Sequence, residues 1–323
     1  MIVLLSHSQD FFTIDRVAEH LTRLGAEFVR LNTDALPFYQ PLSARWGDDQ
    51  ATEVLIEFEN GPHALPIDSV RSVWNRRLWP GRMPEEIPAD AAARCLPAAQ
   101  TAVRDLLGLF SKAQWMNGLE EGQRAESKIA QLELAQRLGL RLPPTLISNN
   151  PREIEAFYYA HQGDIITKLL VPTVADMDGH PDFAYTCKVE ANHLEQLEQA
   201  RAQPQIYQQF LPKAREFRAV CVGGQFLTGG LRVPTSGPLS VDWRQATAED
   251  GLEWEPAALE PALEEKLRSV MKAFGLRFGV FDLIDTGEGE PYFLEVNQAG
   301  EWGMLERDLQ LPISEAIARE LLG

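Results

Sequence analysis

The chain has 323 residues, enough for more than one packed subdomain and a sizeable core. Hydrophobic residues make up 45% and charged residues 24%, the balance of an ordinary globular protein. A formal net charge of −17 removes the basic footprint that a nucleic-acid binder needs. Three cysteines, Cys95, Cys187 and Cys221, lie far apart and form neither a disulfide framework nor a metal spacing, which fits a reducing cytoplasm. The opening MIVLLSHSQD lacks a basic start and a small-residue cleavage site, so it reads as a strand rather than a signal peptide. No apolar run approaches the roughly 18 residues of a membrane span.

Ile2 to Leu5 is a buried strand, and Asp15 to Leu24 an amphipathic helix ended by Gly25. Glu27 to Leu31 is a second strand. This β-α-β start favours a parallel sheet, and without G-x-G-x-x-G it does not suit a dinucleotide. Thr52 to Glu59 and Ser72 to Trp74 add strands. Arg76 and Arg77 follow directly, either as a solvated strand end or as Arg forks for an anion. Pro80, Pro84 and Pro88 mark an irregular stretch. Ala89 to Leu109 is helical, with a kink or break expected at Pro97. Ala113 to Gln123 reads as loop, with a domain boundary near Asn117.

Lys128 to Leu138 is a helix with an apolar stripe of Ile129, Leu132, Ala135 and Leu138, closed by Gly139. A further helix begins near Pro151. Asp164 to Leu170 is a strand carrying Lys168, a costly place for an ammonium group. Gln205 to Lys213 is a strand running into a turn. In the next strand Glu216 and Arg218 share one face, and Phe217, Ala219 and Cys221 the other. Gly223-Gly224 turns that strand into Gln225 to Arg232. Asp242 to Arg244 lies in a polar connection. Leu263, Leu267, Val270, Met271 and Phe274 stripe a long helix, and Ile313 to Leu322 forms a last one.

Between these helices Gly279 to Ile284 and Tyr292 to Val296 read as a hairpin. Glu295 and Asn297, two apart, point to one face, and antiparallel pairing brings Asp282 beside them. Two carboxylates and a carboxamide make a hard-oxygen site that suits magnesium. The same residues also suit a solvent-facing Asp and a turn at a strand end. Apolar neighbours on both sides of Asp282 and Glu295 favour the metal, because unpaired carboxylates there are expensive.

On D-L-I…F-L-E-V-N the sequence resembles the ATP-grasp ligases. The resemblance implies an α/β (α+β) ATP-grasp fold: an N-terminal pre-ATP-grasp-like domain (1–116), a central subdomain (117–210) and a C-terminal subdomain (211–323). It implies ATP and Mg2+ as cofactors, the ions held by Asp282, Glu295 and Asn297, with the glutamate bridging them. Lys168 and Lys128 would reach the ATP phosphates. Gln208, Gln209, Phe210 and Leu211 would form the adenine hinge, with Glu216 among the nucleotide contacts. Arg218 would stabilise the transferring phosphoryl group. Val171 to His180, where many of these enzymes carry a glycine-rich flap, holds a single glycine, Gly179.

V-W-N-R-R, L-G-L-R-L-P-P-T-L-I-S-N-N-P, I-T-K-L-L, P-K-A-R-E-F-R, D-W-R and F-L-E-V-N-Q-A-G-E-W, in this order along nearly the whole chain, look like the microviridin-type (graspetide) peptide ligases. Those enzymes join Asp or Glu carboxyls of a ribosomal precursor peptide to Thr, Ser or Lys side chains. The resemblance implies a cytoplasmic enzyme whose partner is a leader-plus-core peptide, with a homodimer suggested only by the relatives. The leader would dock on Val171 to Gln199, or that stretch is an ordinary hairpin and helix with Leu194 and Leu197. Two other readings stand beside it: a carboxylate-amine ligase for a free amino acid or small molecule, and a non-catalytic nucleotide-binding regulator.

Overall fold

A computed structural model describes residues 1–47, 50–58, 61–170, 174–177, 180–183 and 185–323. β1 (Ile2–Ser6) is buried along its whole length, so both of its faces must be covered. α1 (Thr13–Arg23) lays Ile14, Val17 and Leu21 on one face and ends at Gly25, whose φ is +69°. β2 (Phe28–Asn32) returns parallel to β1. An antiparallel meander follows: β3 (Leu42–Gly47), β4 (Gln50–Phe58) and β5 (Gly61–Leu65). Its Val54, Ile56 and Leu65 pack with Val3 and Leu5. β3 and β5 lack the apolar alternation that would reveal them, because they are largely exposed.

β6 (Ser72–Asn75) pairs with β1 on the side opposite β2. α2 (Ala89–Gly108) runs through Pro97 without a break. Pro97 is exposed on a peripheral helix, which tolerates the lost bond. The stretch expected as loop instead holds β7 (Gln114–Met116), parallel to β6, and α3 (Leu119–Glu126). A three-residue strand and a helix with only Gly122 and Ala125 buried leave little periodic trace.

α4 (Lys128–Arg137) begins at the Ser127 cap. Its buried face is Gln131, Leu134 and Ala135, whereas Ile129 is 64% exposed, so the expected apolar stripe is rotated. β8 (Thr145–Ser148), α5 (Pro151–Ala160) and β9 (Ile165–Leu169) follow. β10 (Val174–Met177) and β11 (His180–Phe183) form a two-stranded ribbon, and β12 (Cys187–Lys188) pairs with β9. The Ala191–Ala202 segment is 3₁₀ rather than α-helical, with Leu197 packed partly against Ile154 and Tyr207. Of the flap and leader-docking stretch, residues 171–173, 178, 179 and 184 lie outside the described residues. β13 (Gln205–Gln209) completes a sheet of order β12-β9-β13-β8.

β14 (Arg215–Val222) and β15 (Gln225–Leu231) join through Gly223-Gly224, both at positive φ as a type I′ hairpin turn requires. α6 (Pro238–Val241), β16 (Trp254–Ala257) and α7 (Pro261–Phe274) lead to β17 (Phe278–Asp285) and β18 (Tyr292–Asn297). The antiparallel sheet has the order β16-β15-β14-β17-β18. α7 buries Leu263, Leu267, Val270, Met271 and Phe274 against Phe217, Cys221, Phe281 and Leu283. α8 (Gly303–Leu309) and α9 (Ile313–Leu322) close the fold. On the sheet's other face, Val220, Val222, Phe278 and Val280 share one core with Ile14, Val17 and Ile317. That shared core fixes the first sheet against the last. Among the described residues no helix is long and apolar enough to cross a membrane.

Candidate active site

β17 and β18 pair from Ile284↔Tyr292 and Leu283↔Phe293, then shift register, so that Asp282 faces Glu295. Leu294 is the extra residue of a β-bulge. With unbroken pairing Asp282 would face Leu294, and Glu295 would fall on the Phe281 face, inside the core. A one-residue slip exchanges the two faces of a strand. The bulge therefore puts Asp282, Glu295 and Asn297 together, beside Glu216 and Arg218 of β14, where Arg218 pairs with Asp282. Spacing alone could not reveal it, because a hairpin of these strands without a bulge has the same residue types.

The site is tied by direct bonds. Asn297 Nδ2 donates to Glu295 Oε1 at 2.9 Å and to Asp282 Oδ2 at 3.2 Å. Lys128 Nζ, at the first turn of α4, meets Glu295 Oε2 at 2.6 Å. Arg218 donates from Nη1 to Asp282 Oδ1 at 2.7 Å and from Nε to the Glu301 carbonyl at 2.7 Å. Burial pushes the Glu295 carboxyl up, but Lys128 and Lys168 outweigh it and hold it down at about 2. Asp282 goes the other way: burial raises it, Arg218 offsets part of the rise, and the Glu295 charge adds to it. Burial lowers the Lys168 ammonium, with Glu295 opposing. Burial raises Glu216 despite the Lys213 ammonium 2.7 Å away.

Lys128, Lys168, Gln208, Gln209, Phe210, Leu211, Glu216, Arg218, Asp282, Glu295 and Asn297 all line one cavity of about 600 Å³ between the central and C-terminal sheets. Lys188 sits 4.0 Å over the Phe210 ring. Gln208 is 3% exposed and its Nε2 donates to Thr145 Oγ1 at 3.0 Å, so its amide is engaged within the sheet rather than free for a ligand. The donors fit a hard divalent cation: two carboxylates face each other in register, with one amide bonded to both. Among the described residues no group of three or more His, Cys, Asp and Glu side chains is arranged to hold a metal ion, so the candidate set includes the Asn297 amide beside its two carboxylates.

Sequence reasoning missed several partners. Asp242, expected in a polar connection, is 4% exposed, accepts the Thr186 N–H, and takes Arg244 Nε and Nη2 at 2.8 and 2.6 Å. Lys213 Nζ bonds Glu216 and the Val241 carbonyl. Arg76, which could have been a solvated strand end, is 1% exposed and donates to the Ala299 carbonyl and to Glu301. Gln131 is the least expected. β18 is an edge strand, and Gln131 covers that edge at Val296: Oε1 accepts its N–H at 3.0 Å and Nε2 donates to its carbonyl at 2.8 Å. A polar residue flanking an apolar helix face was the available signal.

A model of the MvdD pre-ATP-grasp domain matches residues 1–123. The macrocyclase MdnB of Microcystis aeruginosa is 36% identical over 99% of this chain and 98% of that one, with a TM-score of 0.83. The chain belongs to the microviridin-type ATP-grasp ligases. MdnC of the same organism, solved with its precursor peptide MdnA, is 27% identical over 100% of this chain and 99% of that one, with a TM-score of 0.87. A RiPP-associated ATP-grasp ligase of Chryseobacterium gregarium, solved with ADP and a leader and core peptide, is 27% identical over 99% and 96%, with a TM-score of 0.90. No curated protein sequence matches significantly. This graspetide-type ligase is therefore an ATP-dependent enzyme with the ATP-grasp fold.

Gln131→Leu tests the edge clamp. It strips partners from the buried Val296 N–H and carbonyl, at about 1–3 kcal/mol for an unsatisfied group. We expect a lower denaturation midpoint and at least a roughly tenfold loss of ATP turnover, since about 1.4 kcal/mol of misplacement is a tenfold effect. Unchanged turnover would show that the edge clamp does not position Glu295 and Asn297.

Proposed function

We propose that this enzyme uses ATP and Mg2+ to close side-chain rings in an acidic precursor peptide of leader-plus-core type. The observation that carries it is the bulge-aligned Asp282, Glu295 and Asn297 set at the floor of a cavity rich in Lys and Arg. Relatives solved with precursor, leader or core peptides support the choice of partner. We assign residues 1–116, 117–210 and 211–323 to the N-terminal, central and C-terminal units, an assignment supported by the separate sheets.

In this reading Phe210 and Leu211, with Gln209, hold the adenine end where β13 leaves the sheet, while Gln208 stays bonded to Thr145. Lys168 and Lys128 reach the phosphates. Glu216 keeps Lys213 fixed beside the nucleotide. Magnesium, when held by Asp282, Glu295 and Asn297, supplies positive charge that neutralises the phosphate oxygens. The peptide carboxylate oxygen attacks the γ-phosphorus, and ADP leaves. The hydroxyl or amine of a Thr, Ser or Lys side chain then attacks the acyl carbon, and phosphate leaves, carrying the carboxylate oxygen. Arg218 is positioned to stabilise the charge on the phosphoryl group in transfer, through Nη1 beside Asp282. No enzyme nucleophile is required, so the protein's contribution is positioning and charge.

Incubation with ATP, Mg2+ and a leader-plus-core precursor peptide should lower the peptide mass by one water per bond formed. The Glu295→Gln protein, folded by circular dichroism, should leave the mass unchanged. A mass gain on a free amino acid, with the peptide untouched, would replace this reading with a small-molecule ligase. ATP binding without any product would replace it with a nucleotide-binding regulator.

A further inference from the structure

Arg76 and Arg77 leave β6 at its C-terminal end, where the parallel sheet changes direction: β1 has β2 on one side and β6 on the other. Crevices at such points hold ligands in open α/β sheets. The two arginines divide the work. Arg76 is buried and bonded to the Ala299 carbonyl at 2.8 Å and to Glu301 Oε2 at 2.6 Å, with its Nε 3.8 Å from Asp10. The Arg77 side chain is 36% exposed and lines the cavity, with a single long contact of 3.4 Å to that same Glu301 oxygen. Glu301 has little need of it. Its Oε1 accepts the Trp302 and Gly303 N–H groups, and its Oε2 already holds Arg76.

Four of the other five cations lining the cavity are taken. Lys128 pairs with Glu295, Arg218 with Asp282, Lys213 with Glu216 and Arg244 with Asp242, all at 2.6 to 2.7 Å. Lys168, on β9, has no hydrogen bond or ion pair among the described residues, but the reading above already gives it to the ATP phosphates. A line of contacts runs from Asp282 through Arg218 and Glu301 to Arg77. Arg77 thus presents spare guanidinium donors to the cavity, at the opposite end of this line from Asp282.

We propose that Arg77 binds the side-chain carboxylate of the peptide's reacting Asp or Glu and presents it to the γ-phosphate. A guanidinium fork matches a carboxylate bidentately, and it remains charged throughout the reaction. This assignment rests on the peptide-ligase reading above and adds the residue that selects an acid over its amide.

The test compares peptide affinity in the presence of ADP and Mg2+, using the precursor peptide and its variant with the reacting Glu replaced by Gln. Wild-type enzyme should prefer the acid by about tenfold or more, the scale of a charge-assisted hydrogen bond. Arg77→Gln should reduce that preference to about onefold, Arg77→Lys should keep part of it, and ADP affinity should stay within about twofold in both. Full acid preference in Arg77→Gln, or equal losses of ADP and peptide affinity, would overturn the assignment. So would a wild-type enzyme that crosslinks the peptide yet binds acid and amide alike. A wild-type enzyme that never removes water from the peptide overturns the underlying reading instead.

Discussion

One extra residue in β18 decides which of its side chains face the cavity. Leu294 shifts the pairing so that Glu295 faces Asp282, and the side chains beyond it change sides. Below the bulge the sheet is ordinary, with Phe281, Leu283 and Phe293 packed under α7. Above it, two acids and an amide stand on the cavity side. The strand is also an edge, and its exposed backbone at Val296 is held by Gln131 from α4. The same helix delivers Lys128 to Glu295 from its first turn. A helix outside the sheet thus fixes both the backbone and the charge of the site.

The cavity resolves a problem that its own composition creates. Buried like charges are costly unless each has a partner. Here nearly every acid is matched to one base, and the matches cross elements: α4 to β18, β14 to β17, and the loop after β6 to the loop after β18. A triphosphate with its cations can enter such a balanced site by exchanging partners. Gly300 shows how tightly the last of these loops is seated. A Cβ there would lie 2.5 Å from the Val280 Cβ, so only glycine lets the backbone carrying Glu301 lie flat on β17.

Much of this was legible in the sequence where pattern and burial coincide. The α7 stripe and the α9 span follow the expected spacing because one face of each is dry, and Gly223-Gly224 turns because both glycines take positive φ. The exposed meander strands β3 and β5, the short β7 and the rotated face of α4 were not legible. Exposed strands carry no alternation, and Gln131 is buried for its hydrogen bonds rather than its apolarity. Residue types announced Asp282, Glu295 and Asn297. Their convergence depends on a register shift, and a register shift leaves no mark in composition. Asp242 and Arg76 were hidden for a related reason: each is charged, so each looks solvated until its partners are seen.

The bulge-aligned face is proposed to hold divalent cations against a nucleotide's phosphates. A crystal structure grown with Mn2+ and a non-hydrolysable ATP analogue, read by manganese anomalous scattering, tests it most directly. The account predicts anomalous peaks among the side chains of Asp282, Glu295 and Asn297, with the triphosphate on the Lys168 side. Nucleotide bound with its manganese elsewhere, and those three side chains still bonded only to each other, Lys128 and Arg218, would contradict it.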